Sequence, residues 1–162
     1  MDGGYEPAVR TATASDLDEL VRLTRRALDG LADGRGGVPY LATEARGEPV
    51  RDSLVADLTA RDRLVLVGAL GPVVVAYAVT TVEATRARDR AVVTDLYVEP
   101  EARGVGLGRR LMESAVDWAR GRGCGGIDSV ALPGDRATKN FFEGFGLVAR
   151  LITVHRDLDA DA

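Results

Sequence analysis

The sequence predicts a single α/β domain built on a mixed β-sheet. Its 162 residues lie in the usual size range for one domain, and 46% hydrophobic with 28% charged residues is ordinary for a chain with a packed core. A hairpin meander in the first half is followed by a β-α-β unit in the second, a mixture typical of a mixed sheet. We therefore expect one domain over residues 1–162, with its core at about 8–158.

The first half begins with a short alternating strand at 9–13. Ser15 is predicted to cap a helix at about 15–29, whose first turn is acidic and whose apolar residues follow helical spacing. Glycines and prolines at 30–49 predict a long irregular connection, interrupted by a helical turn near Tyr40. Such loops are often functional, although a mobile surface excursion fits equally well. A second helix is predicted from about 49 to 60.

The next elements are a hairpin and a β-α-β unit. β-rich runs at 64–70 and 73–82 flank a Gly71-Pro72 turn, and a further strand follows at 91–98. An amphipathic helix begins at Leu107 and ends near 121 or 123. A strand at 127–132, a short helix at 136–143 and a final strand at 147–157 complete the predicted order β-α-α-β-β-β-α-β-α-β, with about four helices.

Composition excludes several classes of function. A net charge of −4 with pI near 5.1 argues against a nucleic-acid partner. Cys124 is the only cysteine and His155 the only histidine, which excludes a disulfide framework and a Cys/His metal cage, so we expect no metal. No segment approaches ~20 apolar residues, and the first six residues lack the features of a secretion signal. We therefore expect a cytoplasmic protein with no membrane partner.

One segment carries a chemical signature. The strand at 92–98 runs through a turn into Arg103-Gly104-Val105-Gly106-Leu107-Gly108 and then directly into an amphipathic helix. Glycines let a diphosphate approach the backbone, and the free N–H groups and dipole of a helix start favour its negative charge. Arg103, Arg109 and Arg110 can add charge-assisted contacts.

Two familiar nucleotide-binding motifs do not fit this segment. A Walker loop would need Gly-Lys-Ser/Thr, whereas Gly108 is followed by Arg109 and Arg110. A dinucleotide fingerprint would need G-x-G-x-x-G, and neither Gly104-x-Gly106 nor Gly106-x-Gly108 is followed by the third glycine. A diphosphate cradle of another kind and a glycine-rich turn without a ligand both remain open.

Three segments of the chain, in the same order as in the family, resemble the GCN5-related N-acetyltransferase (GNAT) superfamily. Arg103-x-x-Gly106-x-Gly108 matches its Q/R-x-x-G-x-G/A signature, and Leu96-Tyr97-Val98-x-Pro100 resembles its fourth strand and the following turn. The segment 137–147 is similar to the family's last helix and the glycine after it. The resemblance extends over about residues 8–158 and implies a central sheet that splays between strands four and five.

The resemblance implies that acetyl-coenzyme A is the acyl donor. Backbone N–H groups from Val105 or Gly106 through Arg109 would hold its pyrophosphate, and its pantetheine arm would pair with the fourth strand. The Val98 N–H would polarise the thioester carbonyl. The implied donor-binding residues are Leu96, Tyr97, Val98, Arg103, Gly104, Val105, Gly106, Leu107, Gly108, Arg109, Asp135 and Phe142.

Acyl transfer to an amine also needs a proton acceptor, because an ammonium has no lone pair. Asp95 is the first candidate, and strand alternation predicts that it shares a face with Val93 and Tyr97, opposite Leu96 and Val98. It could instead be a strand-end carboxylate bonded to a neighbouring loop. Glu99 is a weaker candidate, and Glu83, near the end of the preceding strand, is the third.

Two positions depart from the family pattern. The usual general-acid tyrosine is replaced by Phe142, which has no proton to give, and Asp135 stands where many relatives have asparagine. The implied function is transfer of an acetyl group from acetyl-coenzyme A to a primary amine of a small molecule or peptide, by direct attack on the thioester. The alternative is a non-catalytic acyl-coenzyme A-binding or sensor domain. The acceptor, the size of the acyl group and the general base stay open, and the family's frequent dimers allow a homodimer.

Overall fold

A computed structural model describes residues 5–159 and contains a five-stranded sheet in the order β1-β2-β3-β4-β5. The first four strands pair antiparallel in succession, and β5 joins β4 in parallel. Their bounds are β1 Pro7–Thr11, β2 Arg63–Leu70, β3 Val73–Glu83, β4 Arg90–Val98 and β5 Gly126–Asp128. The predicted mixed sheet of a single α/β domain is therefore confirmed.

Helices cover both faces of this sheet. Their bounds are α1 Leu17–Asp29, α2 Gly37–Thr43, α3 Val50–Thr59, α4 Leu107–Gly121 and α5 Arg136–Glu143. Because side chains alternate along a strand, Val65 and Val67 of β2 pack on the face of α1 and α3, whereas Leu66 between them packs against α4. No helix among the described residues is long and apolar enough to cross a membrane.

The sheet opens between β4 and β5. The two strands pair only where Arg90, Ala91 and Val92 face Gly126, Ile127 and Asp128. Beyond that point the Ser129 hydroxyl donates to the Val93 carbonyl at 3.1 Å, so a side chain takes up the strand's next acceptor. The strand predicted at 127–132 is consequently shorter than expected, and the splay that the resemblance implied is confirmed.

A β-bulge in β4 corrects one prediction about side-chain direction. Val79 faces Asp95 and Thr80 faces Val93, so Thr94 is an extra residue without a counterpart on β3. Val93 therefore packs against α4, whereas Tyr97 packs on the face of α1 and α3. The prediction that Val93 shares a face with Asp95 was wrong.

The predicted cap at Ser15 was also wrong, because a 3₁₀ turn at Ala14–Asp16 precedes α1. The Asp16 carboxylate accepts the Thr13 N–H at 2.8 Å, and the Ser15 hydroxyl lies 2.8 Å from that of Thr13. Arg10 lies 2.7 Å from the same carboxylate, and its hydrogen bonds lower the pKa of Asp16.

The final strand predicted at 147–157 is not formed. Residues 148–158 belong to no strand, and Val148, Ile152 and Val154 are 79%, 81% and 90% exposed. The alternating β-branched pattern gives a segment its preference for extended backbone, but a strand also needs an edge to pair with.

Candidate active site

The glycine segment forms an open concave turn at the start of α4. Gly104 and Gly106 have φ values of 83° and 91°, a left-handed region that favours glycine. The Arg110 N–H donates to the Gly106 carbonyl at 3.0 Å, so the N–H groups of residues 107–109 precede the first helical hydrogen bond. A Cβ built on Gly106 meets no atom within 4 Å. Free donors and open space therefore coincide at the positive end of a helix.

The adjoining end of β4 has an open backbone edge. The Glu99 N–H donates to the Val75 carbonyl at 2.9 Å, which directs the backbone of Glu99 and Tyr97 toward β3. Because successive residues of a strand point their backbone groups to opposite sides, Leu96 and Val98 face the splayed edge. The Val98 carbonyl accepts the Arg103 Nε at 3.0 Å. The turn and the strand end are thus linked by one of the motif's own residues.

Aromatic side chains of α5 pack against this region. A Cβ on Gly108 would lie in ordinary contact, 3.5 Å from the Phe141 ring and 3.7 Å from the Val98 side chain, so α4, α5 and the end of β4 are close together here. The Arg109 guanidinium stacks over Phe145 at 5.3 Å from the ring centroid. Val98, Gly108 and the α5 aromatics therefore meet at one place.

The two departures from the family pattern have definite surroundings. Phe142 is 7% exposed and packs in the core with Val93, Met112 and Ala115. The Asp135 carboxylate caps α5, accepting the Thr138 N–H at 3.0 Å and its hydroxyl at 2.6 Å.

A cleft of about 380 Å³ lies between two connections. It is lined by the α1–α2 connection and by the loop before α5, which ends at Asp135: Gly30, Leu31, Gly34, Arg35, Leu132, Pro133, Gly134 and Asp135. Part of the irregular connection predicted at 30–49 thus forms one wall of it.

Asp95 is held by four donors. The Arg46 guanidinium donates to both carboxylate oxygens, at 3.0 and 2.7 Å. The Tyr77 hydroxyl donates at 3.2 Å and the Thr94 hydroxyl at 2.7 Å. The Asp95 side chain is only 9% exposed.

The same arginine joins Asp95 to a second buried carboxylate. Arg46 Nη1 lies 2.5 Å from Asp57, which is 1% exposed and also pairs with Arg63. Burial lowers the pKa of Arg46, but the carboxylates of Asp95 and Asp57 outweigh it and raise that pKa above its ordinary value. Two guanidiniums and two carboxylates thus form a neutral cluster, which we call the Arg46 network (Arg46, Asp57, Arg63 and Asp95).

Two tyrosines adjoin this network. Burial, followed by the charge of Asp95, raises the pKa of both Tyr77 and Tyr40, so both phenols stay protonated at neutral pH. A cleft of about 250 Å³ opens beside Asp95, lined by Glu44, Arg46, Gly47, Ser53, Arg63, Thr94 and Asp95.

Glu99 belongs to a different ion cluster. It is 9% exposed and lies 2.5 Å from Arg22 and 2.6 Å from Arg26, both on α1. These pairs attach α1 to the end of β4, immediately after Val98. The two candidate acids therefore each have arginine partners, in separate clusters.

Sequence reasoning missed Arg46, Asp57 and Tyr40. Asp57 carried a usable signal, because it follows Val50 and Leu54 at helical spacing on the buried face of α3. Arg46 had none, since it lies in the glycine- and proline-rich connection. Within the described residues, no group of three or more His, Cys, Asp or Glu side chains is placed to hold a metal ion.

A family model agrees with this geometry. The acetyltransferase (GNAT) family matches residues 38–147, well over half of the 162-residue chain. The chain belongs to the GNAT acetyltransferase family, which makes it in general terms an acyl-coenzyme A-dependent acetyltransferase. No match was found among curated proteins.

Solved structures share the fold. A tetramutant of the BH1408 protein from Bacillus halodurans aligns with a TM-score of 0.78 at 21% identity, over 93% of this chain and 99% of that one. The aminoglycoside acetyltransferase AAC(6')-Iy, in complex with a coenzyme A bisubstrate analogue, aligns with a TM-score of 0.72 at 14% identity, over 93% and 98%. An aminoglycoside acetyltransferase from an uncultured soil sample aligns at 0.71 and 17%, over 94% and 95%. At these identities the likeness concerns the fold.

Proposed function

We propose that this protein transfers an acetyl group from acetyl-coenzyme A to a primary amine of a small molecule or peptide. The observation that carries the proposal is the pairing of an open glycine turn at a helix start with an unpaired strand edge at Leu96 and Val98. The first suits a diphosphate and the second suits an extended, amide-bearing arm. Coenzyme A contains both groups.

Backbone groups on the donor side support this substrate. The unbonded N–H groups of residues 107–109 can donate to phosphate oxygens, and the space above Gly106 lets them approach. Leu96 and Val98 offer backbone donors and acceptors to the pantetheine amides. Arg103 would release the Val98 carbonyl or stay bonded to it beside a pantetheine amide.

The chemistry follows from the thioester that the donor supplies. The neutral acceptor nitrogen attacks the carbonyl carbon, the N–C bond forms and the C–S bond breaks. The Val98 N–H stabilises the negative charge that develops on the carbonyl oxygen. Phe142 cannot protonate the sulfur, but a thiol pKa near 8.5 makes the thiolate a tolerable leaving group.

We assign the amine's proton to Asp95, because it borders the 250 Å³ cleft. Both of its oxygens already accept hydrogen bonds, so it must release one donor to take a proton. Glu99 lies between Arg22 and Arg26, and we assign it to holding α1 against the donor-binding strand.

A cationic small molecule is the acceptor class we favour. The net charge of −4 attracts cations at long range, whereas in the lining of the cleft Arg46 and Arg63 balance Glu44 and Asp95. Two similar folds are those of aminoglycoside acetyltransferases, so amine-bearing sugars belong in the first screen.

A second function, an acyl-coenzyme A sensor without turnover, is favoured by one observation. Phe142 is buried among apolar side chains, so the donor side has no tyrosine at the position where the family usually supplies a proton.

An assay of thiol release separates the two functions. The protein is incubated with acetyl-coenzyme A and a panel of primary amines that includes aminoglycosides, polyamines and peptide N-termini. We expect amine-dependent release of coenzyme A, with mass spectrometry detecting one added acetyl group on the acceptor.

Thermal unfolding with acetyl-coenzyme A serves as the parallel measurement. Ligand at 100 times its Kd stabilises the native state by about 2.7 kcal/mol, which raises Tm. A raised Tm without turnover on any amine would favour the sensor. An unchanged Tm with millimolar acetyl-coenzyme A would contradict both functions.

A further inference from the structure

The 250 Å³ cleft beside Asp95 is lined by charged and hydroxyl-bearing residues, and among the described residues no wholly apolar side chain contributes to the lining. It contains two carboxylates, those of Glu44 and Asp95, and two guanidiniums, those of Arg46 and Arg63. Pockets for drug-sized ligands usually measure about 300–1,000 Å³. The cleft therefore suits a smaller molecule that is polar and carries charge.

Two of these four charges, those of Arg46 and Asp95, are committed to each other. The Nε and Nη2 atoms of Arg46 donate to the two carboxylate oxygens at 3.0 and 2.7 Å. Its Nη1 donates to the Ser53 hydroxyl at 3.1 Å and to Asp57 at 2.5 Å. The Arg46 side chain is only 8% exposed, so it has little left to offer to a ligand.

Arg63 has an edge that the protein does not use. Its Nη1 pairs with the buried Asp57, whereas its Nε and Nη2 have no hydrogen-bond partner among the described residues. These two atoms form the same edge by which Arg46 holds Asp95. Asp57 anchors the guanidinium at its other end, and the Arg63 side chain is 41% exposed. Such a planar, pre-positioned edge binds a carboxylate through two parallel hydrogen bonds.

Glu44 is the carboxylate of the lining that has no cationic partner. It accepts the Thr43 hydroxyl, and it pairs with no arginine or lysine among the described residues. The residue is exposed, so an ammonium group can reach it. The cleft therefore presents one free guanidinium edge and one free carboxylate beside Asp95, and their complement is a molecule with charges of both signs.

We propose that the acceptor carries a carboxylate in addition to its amine, as an amino acid does. The inference rests on the proposed function and names the substrate class of the same site. Nε and Nη2 of Arg63 donate to the acceptor's carboxylate, which makes Arg63 the specificity-determining residue. Glu44 attracts the acceptor's ammonium group, and the acyl-transfer step beside Asp95 is unchanged.

Diamino acids such as lysine and ornithine satisfy the long-range and the local charges together. Their two amines and one carboxylate give a net positive charge at neutral pH, which the protein's net charge of −4 attracts. Their carboxylate matches the free edge of Arg63. 1,5-Diaminopentane is lysine without its carboxylate, so these two compounds isolate the contribution of that group.

Thiol release with acetyl-coenzyme A measures kcat/KM for lysine and for 1,5-diaminopentane. We expect lysine to be preferred at least about tenfold, because a site built to bond a charged group discriminates against an analogue that lacks it. Arg63→Gln should bring the ratio of the two values close to one, and Arg63→Lys should keep part of the preference. A loss of folded protein lowers both values equally and leaves their ratio unchanged.

Arg61→Gln is the matched control. Arg61 is an exposed arginine two positions before Arg63 and does not line the cleft, so this variant removes the same charge from the same turn. Its ratio of kcat/KM values should equal that of the native protein. A ratio that falls equally in both variants would assign the preference to net charge and overturn the role of Arg63.

Two further results would overturn the inference while acetyl transfer stands. They are a native protein that acetylates 1,5-diaminopentane or an aminoglycoside as efficiently as lysine, and a lysine preference that persists in Arg63→Gln.

Turnover on no amine would contradict the proposed function, and titration calorimetry with coenzyme A present then tests the inference by itself. Lysine that binds more tightly than 1,5-diaminopentane, with the difference lost in Arg63→Gln, would support it. Equal affinities for the two compounds would overturn it.

Discussion

The donor side and the acceptor side that we propose for this site are built in opposite ways. The donor side consists of backbone groups within one continuous stretch, from Leu96 to Arg109, and its glycines leave it open. The acceptor side consists of charged side chains from three distant elements, and Arg46, Asp57 and Asp95 are each less than 10% exposed. The first binds through shape and free N–H groups, whereas the second depends on a balance of buried charges.

This difference predicts different responses to substitution. A backbone site tolerates changes of most side chains and fails where a glycine gains a Cβ. A buried network fails when one charge is removed, since its partner stays buried without compensation. Three substitutions test this contrast.

Asp57→Ala should have the largest effect, and it should act on stability. It leaves Arg46 with Asp95 as its remaining carboxylate in the Arg46 network and removes the ion pair of Arg63. Breaking a buried pair in this way costs about 3–5 kcal/mol, measurable as a lower free energy of unfolding in urea.

The control for this substitution is Asp18→Ala. Asp18 pairs with Arg51, but its side chain is 86% exposed, and exposed pairs contribute little. Equal losses of stability in the two variants would show that the Arg46 network contributes no more to the free energy of unfolding than an exposed ion pair does.

Asp95→Asn should come next, and it should act on turnover. We expect kcat for the best amine to fall about a hundredfold, as is common when a general base is removed.

Glu83→Gln serves as its control, because Glu83 pairs with Arg90 at the surface. An unchanged kcat in Asp95→Asn would exclude Asp95 as the proton acceptor. A urea titration of Asp95→Asn gives its free energy of unfolding and so shows whether a lower kcat results from unfolding of the variant.

Gly106→Ala should have the smallest effect, confined to the donor. With φ at 91°, a Cβ adds backbone strain of about 1–2 kcal/mol, and relaxing it moves the N–H groups away from the phosphates. We expect KM for acetyl-coenzyme A to rise about tenfold with kcat little changed.

Gly121→Ala is the matched control, because Gly121 ends the same helix without a left-handed φ and has nothing within 4 Å of its Cβ position. An unchanged KM in Gly106→Ala would argue against the cradle.

The same contrast explains what could be predicted from the sequence. The turn from Arg103 to Gly108 is formed by consecutive residues, so the sequence of that segment is enough to predict its conformation. The order of strands and helices up to α5 could be predicted from the periodicity of apolar residues. The Arg46 network is long-range: residue 46 meets residue 95 only because α2, α3 and β4 fold together. No local sequence pattern predicts a contact between two residues that are so far apart in the chain.

Two errors had physical causes of the same kind. Residues 148–158 have the composition of a strand, but pairing depends on an edge that composition does not reveal. Val93 was assigned to the wrong face because alternation was counted through Thr94, where a bulge interrupts it.

Thr94 therefore shifts the alternation of side chains along β4 by one position, because it is the extra residue of the bulge. Its presence sets Asp95 and Tyr97 toward α1 while Val93, two positions earlier, points toward α4. Removing this one residue would bring both parts of β4 back into a single alternation. Gain or loss of this one residue thus leaves Val93 and Asp95 on their present faces and changes only the number of residues between them, so comparisons with relatives should first locate this bulge.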